Sequence, residues 1–263
     1  MSTKGWIADT LVLFRYRELL QRLIAKDLKV KYRGSYLGFF WSLLNPLSLV
    51  VVYSVVLRYV MGVREISPLL VVTGIIPWVF FANTLNSSTE SIIINSNLVK
   101  KIFFPREILP VSTVAFNFIQ FCMAVVVFVP AVYVLRGDLP WTLVFYPLIV
   151  VLHWVFALGA AFLLSAVTTF YKDVRYLTEV AMMMVFWVTP VLYHYDMVAE
   201  KGLAVYFWLN PFSSYFFAYQ SAVYFAEVPR AEHWLAMALW STLVLLVGIT
   251  VFRRSRSKFV EEL

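Results

Sequence analysis

The chain has 263 residues, of which 62% are hydrophobic, 18% aromatic and only 14% charged. Soluble globular domains are nearer a quarter charged, so an ordinary soluble protein is excluded. The net charge of +7 sits in a few short basic segments suited to an anionic membrane surface, and no nucleic-acid partner is expected. Uncharged runs of about 18 residues or more are long enough to cross a hydrocarbon core of roughly 30 Å. Residues 66–89 and 108–135 contain no charged residue at all. Lipid offers no partner to backbone polar groups, so the spans must be helices. The expectation is one all-α integral membrane domain over residues 1–263.

In chain order, residues 11–33 read as an amphipathic interface helix. Val12, Tyr16, Leu19, Leu20, Leu23, Ile24 and Leu28 fall on one face, and Arg15, Glu18, Arg22, Lys26, Lys29 and Arg33 on the other. Such a helix lies in the headgroup plane. It serves as an anionic-lipid anchor, as a docking surface, or as a site for an anionic lipid-linked substrate. The first apolar run starts near Ser35, too late for a cleavable signal peptide. Gly34 and Gly38 make a GxxxG spacing, which permits close helix approach.

Six spans are expected at 36–60, 69–88, 108–135, 141–170, 176–195 and 234–252. Asn45-Pro46 predicts a kink in the first, because proline removes a helix hydrogen bond. The single cysteine, Cys122, lies in an apolar run, excludes an intrachain disulfide and is expected to be a small buried hydrophobe. Residues 202–226 form another uncharged run, but Asn210-Pro211 breaks it into pieces too short to span.

Basic residues near span ends stay cytoplasmic. Seventeen of the 22 Lys and Arg residues lie before the first span, in the 95–107 island, at Lys172 and Arg175, or at the C-terminus. Both termini are therefore expected inside, which requires an even number of crossings. Residues 196–232 then form an external loop whose 202–226 stretch dips back as re-entrant gate helices.

The chemistry is one of absences and concentrations. The nine glycines never give GxxxxGK[ST], and there is no charged catalytic cluster. His153, His194 and His233 have no metal-ligand spacing; His153 is expected to pack or to bond between helices. Ion-coupled carriers need ionisable groups at mid-membrane, and the span centres here are bare. The driving force must come from an external motor that grips the island at 95–110. Residues 186–225 hold fourteen aromatics in 40 positions. Both an interfacial aromatic belt and a path for sugars remain open as explanations.

Four blocks carry a resemblance: Lys26 to Trp41 leading to Asn45-Pro46; Gly74 to Phe81; Asn95 to Pro110 with its Phe-Pro-Arg-Glu core; and Phe170 to Arg175 followed by Thr189 to Tyr193. Asn210-Pro211 adds a shorter one. In this order the chain resembles the membrane subunit of type-2 ABC exporters that move polysaccharides, the group of O-antigen, capsule and teichoic acid exporters.

The resemblance implies a homodimer of permeases with two cytoplasmic ABC ATPase subunits, which would hold the ATP and Mg. This chain would itself be no enzyme and carry no cofactor. It implies a coupling segment at 94–107 between spans two and three, with Asn97, Lys100, Lys101, Phe104, Pro105, Arg106 and Glu107 as its working residues. The implied substrate is a long glycan on undecaprenyl pyrophosphate, O-antigen first. Its pyrophosphate would meet the basic rim of Lys26, Lys29, Lys31 and Arg33. The expected glycan path and gate comprise Trp41, Trp78, Phe81, Trp187, Tyr193, Tyr195, Trp208, Phe212, Tyr215 and Tyr219. Ala218-Tyr219-Gln220 departs from the family, where an Arg is expected. The implied setting is the bacterial cytoplasmic membrane. A type-2 ABC exporter of a lipid or small amphiphilic drug is the alternative.

Overall fold

The computed structural model describes residues 15–63, 66–194 and 210–263, and every regular element among them is helical. Helix α1 (Arg17–Tyr32) lies at the end of the bundle that collects the basic residues. Its apolar side does not face lipid alone. Leu23 is buried, and Tyr16, Leu19 and Leu20 pack beside it on a cluster built from other elements. Residues 11–14, Val12 among them, lie outside the described residues.

Gly34 and Gly38 adopt left-handed backbone, with φ of +75° and +46°, and a Cβ on either would meet nothing within 4 Å. They are turn glycines between α1 and the first span rather than a helix-packing motif. The first span consequently starts later than residue 36. It runs as α2 (Trp41–Val55) with Pro46 inside, and continues as a π turn over Val56–Val60.

Helix α3 (Pro68–Glu90) is the axis of the bundle. Ser67 caps it by accepting from Leu70 N at 3.2 Å, and Pro68 supplies the fixed φ of a first turn. Helices α2, α5, α6 and α7 all pack against it, and Leu70, Val71, Thr73 and Phe81 have no accessible surface. After the short α4 (Ser96–Lys101), α5 (Ile108–Arg136) runs away from the basic end. Gly137, at φ +95°, closes it by donating to Tyr133 O at 2.9 Å.

A 3-10 turn (Trp141–Phe145) leads into α6 (Tyr146–Phe170). This helix packs most closely on α9 (Ala231–Ser255). The reason is two glycines: a Cβ on Gly248 would lie 2.0 Å from Gly159 O, and one on Gly159 2.5 Å from Leu245 Cα. Small residues of this kind let membrane helices approach backbone to backbone. A 3-10 turn and the short α10 (Phe259–Glu262) complete the chain.

Two expectations need correction. Cys122 is exposed on α5, not buried; an apolar run says nothing about which side of a span faces lipid. The fifth expected span, 176–195, is a 15-residue helix, α7 (Val174–Val188), about 22 Å long. It stops because Pro190 pushes Thr189 into extended backbone, with φ −93° and ψ 142°. Among the described residues, five helices are long and apolar enough to cross a membrane: Trp41–Val60, Pro68–Glu90, Ile108–Arg136, Trp141–Phe170 and Ala231–Glu262. Helix α8 (Ser213–Gln220), extended by a π turn over Ser221–Phe225, follows α7 in the described chain.

Candidate functional site

The basic end is built on its own hydrophobic cluster. Leu23 of α1, Ile92 and Val99 around α4, Phe104, Ile108 and Leu109 leading into α5, Phe162 and Ala166 of α6, and Phe252 and Phe259 of the C-terminal segment are all buried together. Helix α4 is thereby fastened to five other elements. Asn95 adds a polar tie, since its amide donates to Ser91 O at 2.8 Å and its oxygen accepts from Lys26 Nζ at 2.9 Å.

The seven expected coupling residues divide by what they touch. Asn97, Lys100 and Lys101 are exposed on the outward side of α4. Phe104 and Glu107 are buried, and Pro105 and Arg106 half-buried. The helix gives way to extended backbone at Ile102, where successive side chains point in opposite directions. Phe103 is therefore 99% exposed while Phe104 is 6% exposed. Glu107 is ion-paired with Arg256, and Arg106 donates to the carbonyl of Arg256, so the last residues of the chain brace the segment.

Exposed Ile94, Ile102 and Phe103 complete an outward patch with the two lysines. All three lie inside the expected 94–107 segment but outside its seven expected working residues. Alternation about the buried Phe104 was the signal that could have found Phe103.

The four rim cations do not form one site. Lys26, Lys29 and Arg33, joined by Arg22, line a shallow depression of about 680 Å³ on one side of α1. Lys31 turns to the opposite side and bonds Gln120 Oε1 of α5, its ammonium 5.5 Å from the Phe116 ring. Burial at that contact lowers its pKa below the usual lysine value. Nearby, Arg175 at the start of α7 pairs with Glu90 at the end of α3 and lies 3.7 Å from Glu179.

At the opposite end the chain folds back into the bundle. Asn210 Nδ2 donates to Thr189 Oγ1 at 3.1 Å and to Val188 O at 3.3 Å, while its oxygen accepts from Phe212 N at 3.0 Å. Every residue of α8 is buried. Tyr215 OH donates to Met237 O at 3.1 Å and lies 2.6 Å from Ser241 Oγ, which in turn donates to Leu152 O at 2.8 Å. Tyr219 OH meets His153 Nδ1 at 3.3 Å, the inter-helix bond expected of that histidine. Gln220 Nε2 donates to Pro190 O at 2.7 Å and Tyr193 O at 3.1 Å.

The π turn is held by Thr142, whose hydroxyl donates to Ala222 O at 2.6 Å, and by Arg136, which donates to Tyr224 O at 2.7 Å and pairs with Asp138 at 2.8 Å. His153 and Phe156 lie seven to ten residues into α6, so α8 reaches about 10–15 Å below that helix's end.

This arrangement sorts the ten expected path aromatics. Trp78, Phe81, Tyr215 and Tyr219 are buried. With half-buried Phe212 they stack through Phe156 and Phe216 into one aromatic core, Phe81 and Phe212 lying 4.9 Å apart. Tyr193 is half-buried and donates to Val188 O at 3.0 Å. Trp41 and Trp187 are exposed. Tyr195, Trp208 and residues 202–209 of the expected gate lie outside the described residues.

Residues 18–224, from α1 to the π turn after α8, match the family model described as ABC-2 type transporter. The chain belongs to the ABC-2 type transporter family. It is the membrane permease of an ABC transporter, a multi-pass protein of the bacterial inner membrane.

Among ABC-2 permeases it is similar to the O-antigen export system permease protein RfbA of Myxococcus xanthus, 31% identical over 257 residues, covering 95% of this chain and 97% of that one. Two proteins of the same name from Klebsiella pneumoniae are 29% identical, one over 250 and the other over 251 residues, each covering 93% of this chain and 94% of the relative. The ABC-2 match spans both α1 and the 94–107 segment at the basic end and α8 at the other.

Proposed function

We propose that this ABC-2 permease is the membrane channel of an ATP-driven exporter that moves a lipid-linked polysaccharide, O-antigen on undecaprenyl pyrophosphate, across the cytoplasmic membrane. It works as a homodimer with two cytoplasmic ATPase subunits that bind ATP and Mg. The observation that carries the reading is the coupling patch. The short helix and the extended turn after it present Lys100, Lys101 and a fully exposed Phe103, yet are seated through Val99 and Phe104 on the core that joins α1, α5, α6 and α9. A push on that patch moves several helices at once. The three RfbA relatives, aligned over nearly their whole length, support the choice of O-antigen.

In this reading α7 belongs to the fifth of six crossings. Helix α8 and its π turn form the external gate, entered from the cytoplasmic side of the dimer. The pyrophosphate is drawn to Lys26, Lys29 and Arg33, which share one face of α1 with Arg22. The aromatic core of α8 gives the gate a rigid base, and of the expected path aromatics that are described, Trp41 and Trp187 are exposed and able to touch a moving glycan.

Deleting the gene in its own host tests the substrate. Lipid-linked O-antigen should accumulate at the cytoplasmic face and vanish from the cell surface, and plasmid-borne permease should restore it. Unchanged surface polysaccharide, with ATPase activity stimulated instead by small amphiphiles, would support the drug or lipid exporter.

A further inference from the structure

A cleft of about 790 Å³ opens between α2 on one side and the α3–α5 pair on the other, with Lys31 of α1 at its mouth. Its lining is graded along the membrane normal. Toward the basic end stand Lys31, Ser42, Asn45, Asn83, Asn117 and Gln120; farther in stand Val51, Val52, Ile76, Val79, Phe121 and Ala124. Asn83 is seven residues from the end of α3, about 10 Å along its axis, so the polar ring lies in the half of the bundle nearer the basic end. Val51 and Val52 are more than half exposed, leaving the cleft accessible from the side.

We propose that this cleft is a binding site for an anionic glycerophospholipid of the cytoplasmic leaflet, with its phosphodiester on Lys31 and its acyl chains between α2 and α5. The lining holds one cation, no carboxylate and six neutral Ser, Asn and Gln side chains. That set complements a single negative charge flanked by polar ester and glycerol groups. Lys31 now leans on Gln120 Oε1 and the Phe116 ring, weak partners that a phosphate oxygen would displace with a charge-assisted bond.

Acyl chains entering the cleft merely exchange one hydrocarbon neighbour for another. Selectivity therefore rests on the head group, as in other basic pockets between membrane helices. A pyrophosphate carries more negative charge than the single Lys31 matches, and the cluster of cations that suits it stands on the other side of α1. The site is thus distinct from the substrate route proposed above and survives if that route is wrong.

The test is lipid retention by the purified permease–ATPase complex, read by native mass spectrometry with phosphatidylglycerol as probe and phosphatidylcholine as control. Wild type should retain phosphatidylglycerol selectively and gain in Tm from it. Lys31→Gln should lower its occupancy about ten-fold, and Lys31→Arg should keep it. Val52→Trp, which fills the apolar part and leaves the charge, should also abolish retention.

Equal retention of both lipids, or selective retention that neither Lys31→Gln nor Val52→Trp reduces, would overturn the proposal. Displacement of phosphatidylglycerol by equimolar undecaprenyl pyrophosphate would overturn it too, by making the cleft a substrate site. So would a cysteine pair across the two copies at Val52 that cross-links fully, because a second protomer would then fill the space.

Discussion

Phe103 and Phe104 are neighbours with opposite surroundings. Phe104 belongs to the buried cluster at the basic end, and replacing it with Ala should cost about 3–5 kcal/mol of stability, seen as a lower Tm and poor yield. Phe103 touches nothing in the protomer. Phe103→Ala should leave Tm unchanged and weaken association with the ATPase subunits, measured by co-purification. Equal effects from the two substitutions would contradict the division.

Gly159 and Gly248 make a second residue-scale case. Ala at Gly248 would drive a Cβ to 2.0 Å from a backbone oxygen, which no rotamer relieves. The α6–α9 pair must then separate, at a cost of roughly 1–3 kcal/mol, and a thermal melt should show it. These glycines are not legible in the sequence because the one GxxxG spacing is at Gly34–Gly38, where positive φ makes both turn residues. Spacing within one helix cannot say which residues of two different helices meet.

Among elements, the long uncharged runs were fully legible. Helices α3, α5, α6 and α9 lie where the sequence placed spans, because length and absence of charge suffice to specify them. The short helix inside 94–107 was legible too, from its charge and the resemblance. The end of α7 was not. Thr189-Pro190 marks it locally, but apolar content carried the reading on to residue 195.

The sorting of aromatics was also hidden. Phe81, Tyr215 and Tyr219 look the same in sequence as exposed Trp187, and only the insertion of α8 between α3, α6 and α9 buries them. Arg136 ties the π turn after α8 to the end of α5. Arg136→Ala should leave the carbonyls of Val223 and Tyr224 unpaired, so that amide hydrogen exchange accelerates across residues 221–227 and not in α6. Exchange unchanged in that stretch would show that the turn is held by other contacts.

At the scale of the whole molecule, the bundle has a core around α3 and a second core at the basic end, and the second one joins the exposed patch of Lys100, Lys101 and Phe103 to the spans. Glu107 and Arg256, 149 residues apart, pair across it, so the C-terminal segment braces the proposed coupling segment although no motif announced it. Arg256→Glu should impair coupling with the permease still inserted, and adding Glu107→Arg should recover part of the loss.

The most direct measurement reconstitutes the permease with its ATPase subunits in proteoliposomes and follows ATP hydrolysis and movement of lipid-linked O-antigen together. Wild type should show hydrolysis stimulated by the lipid-linked polysaccharide. Phe103→Asp combined with Lys100→Glu and Lys101→Glu should abolish transport and that stimulation while the protein remains folded in the membrane. Transport at the wild-type rate by that variant would contradict the account.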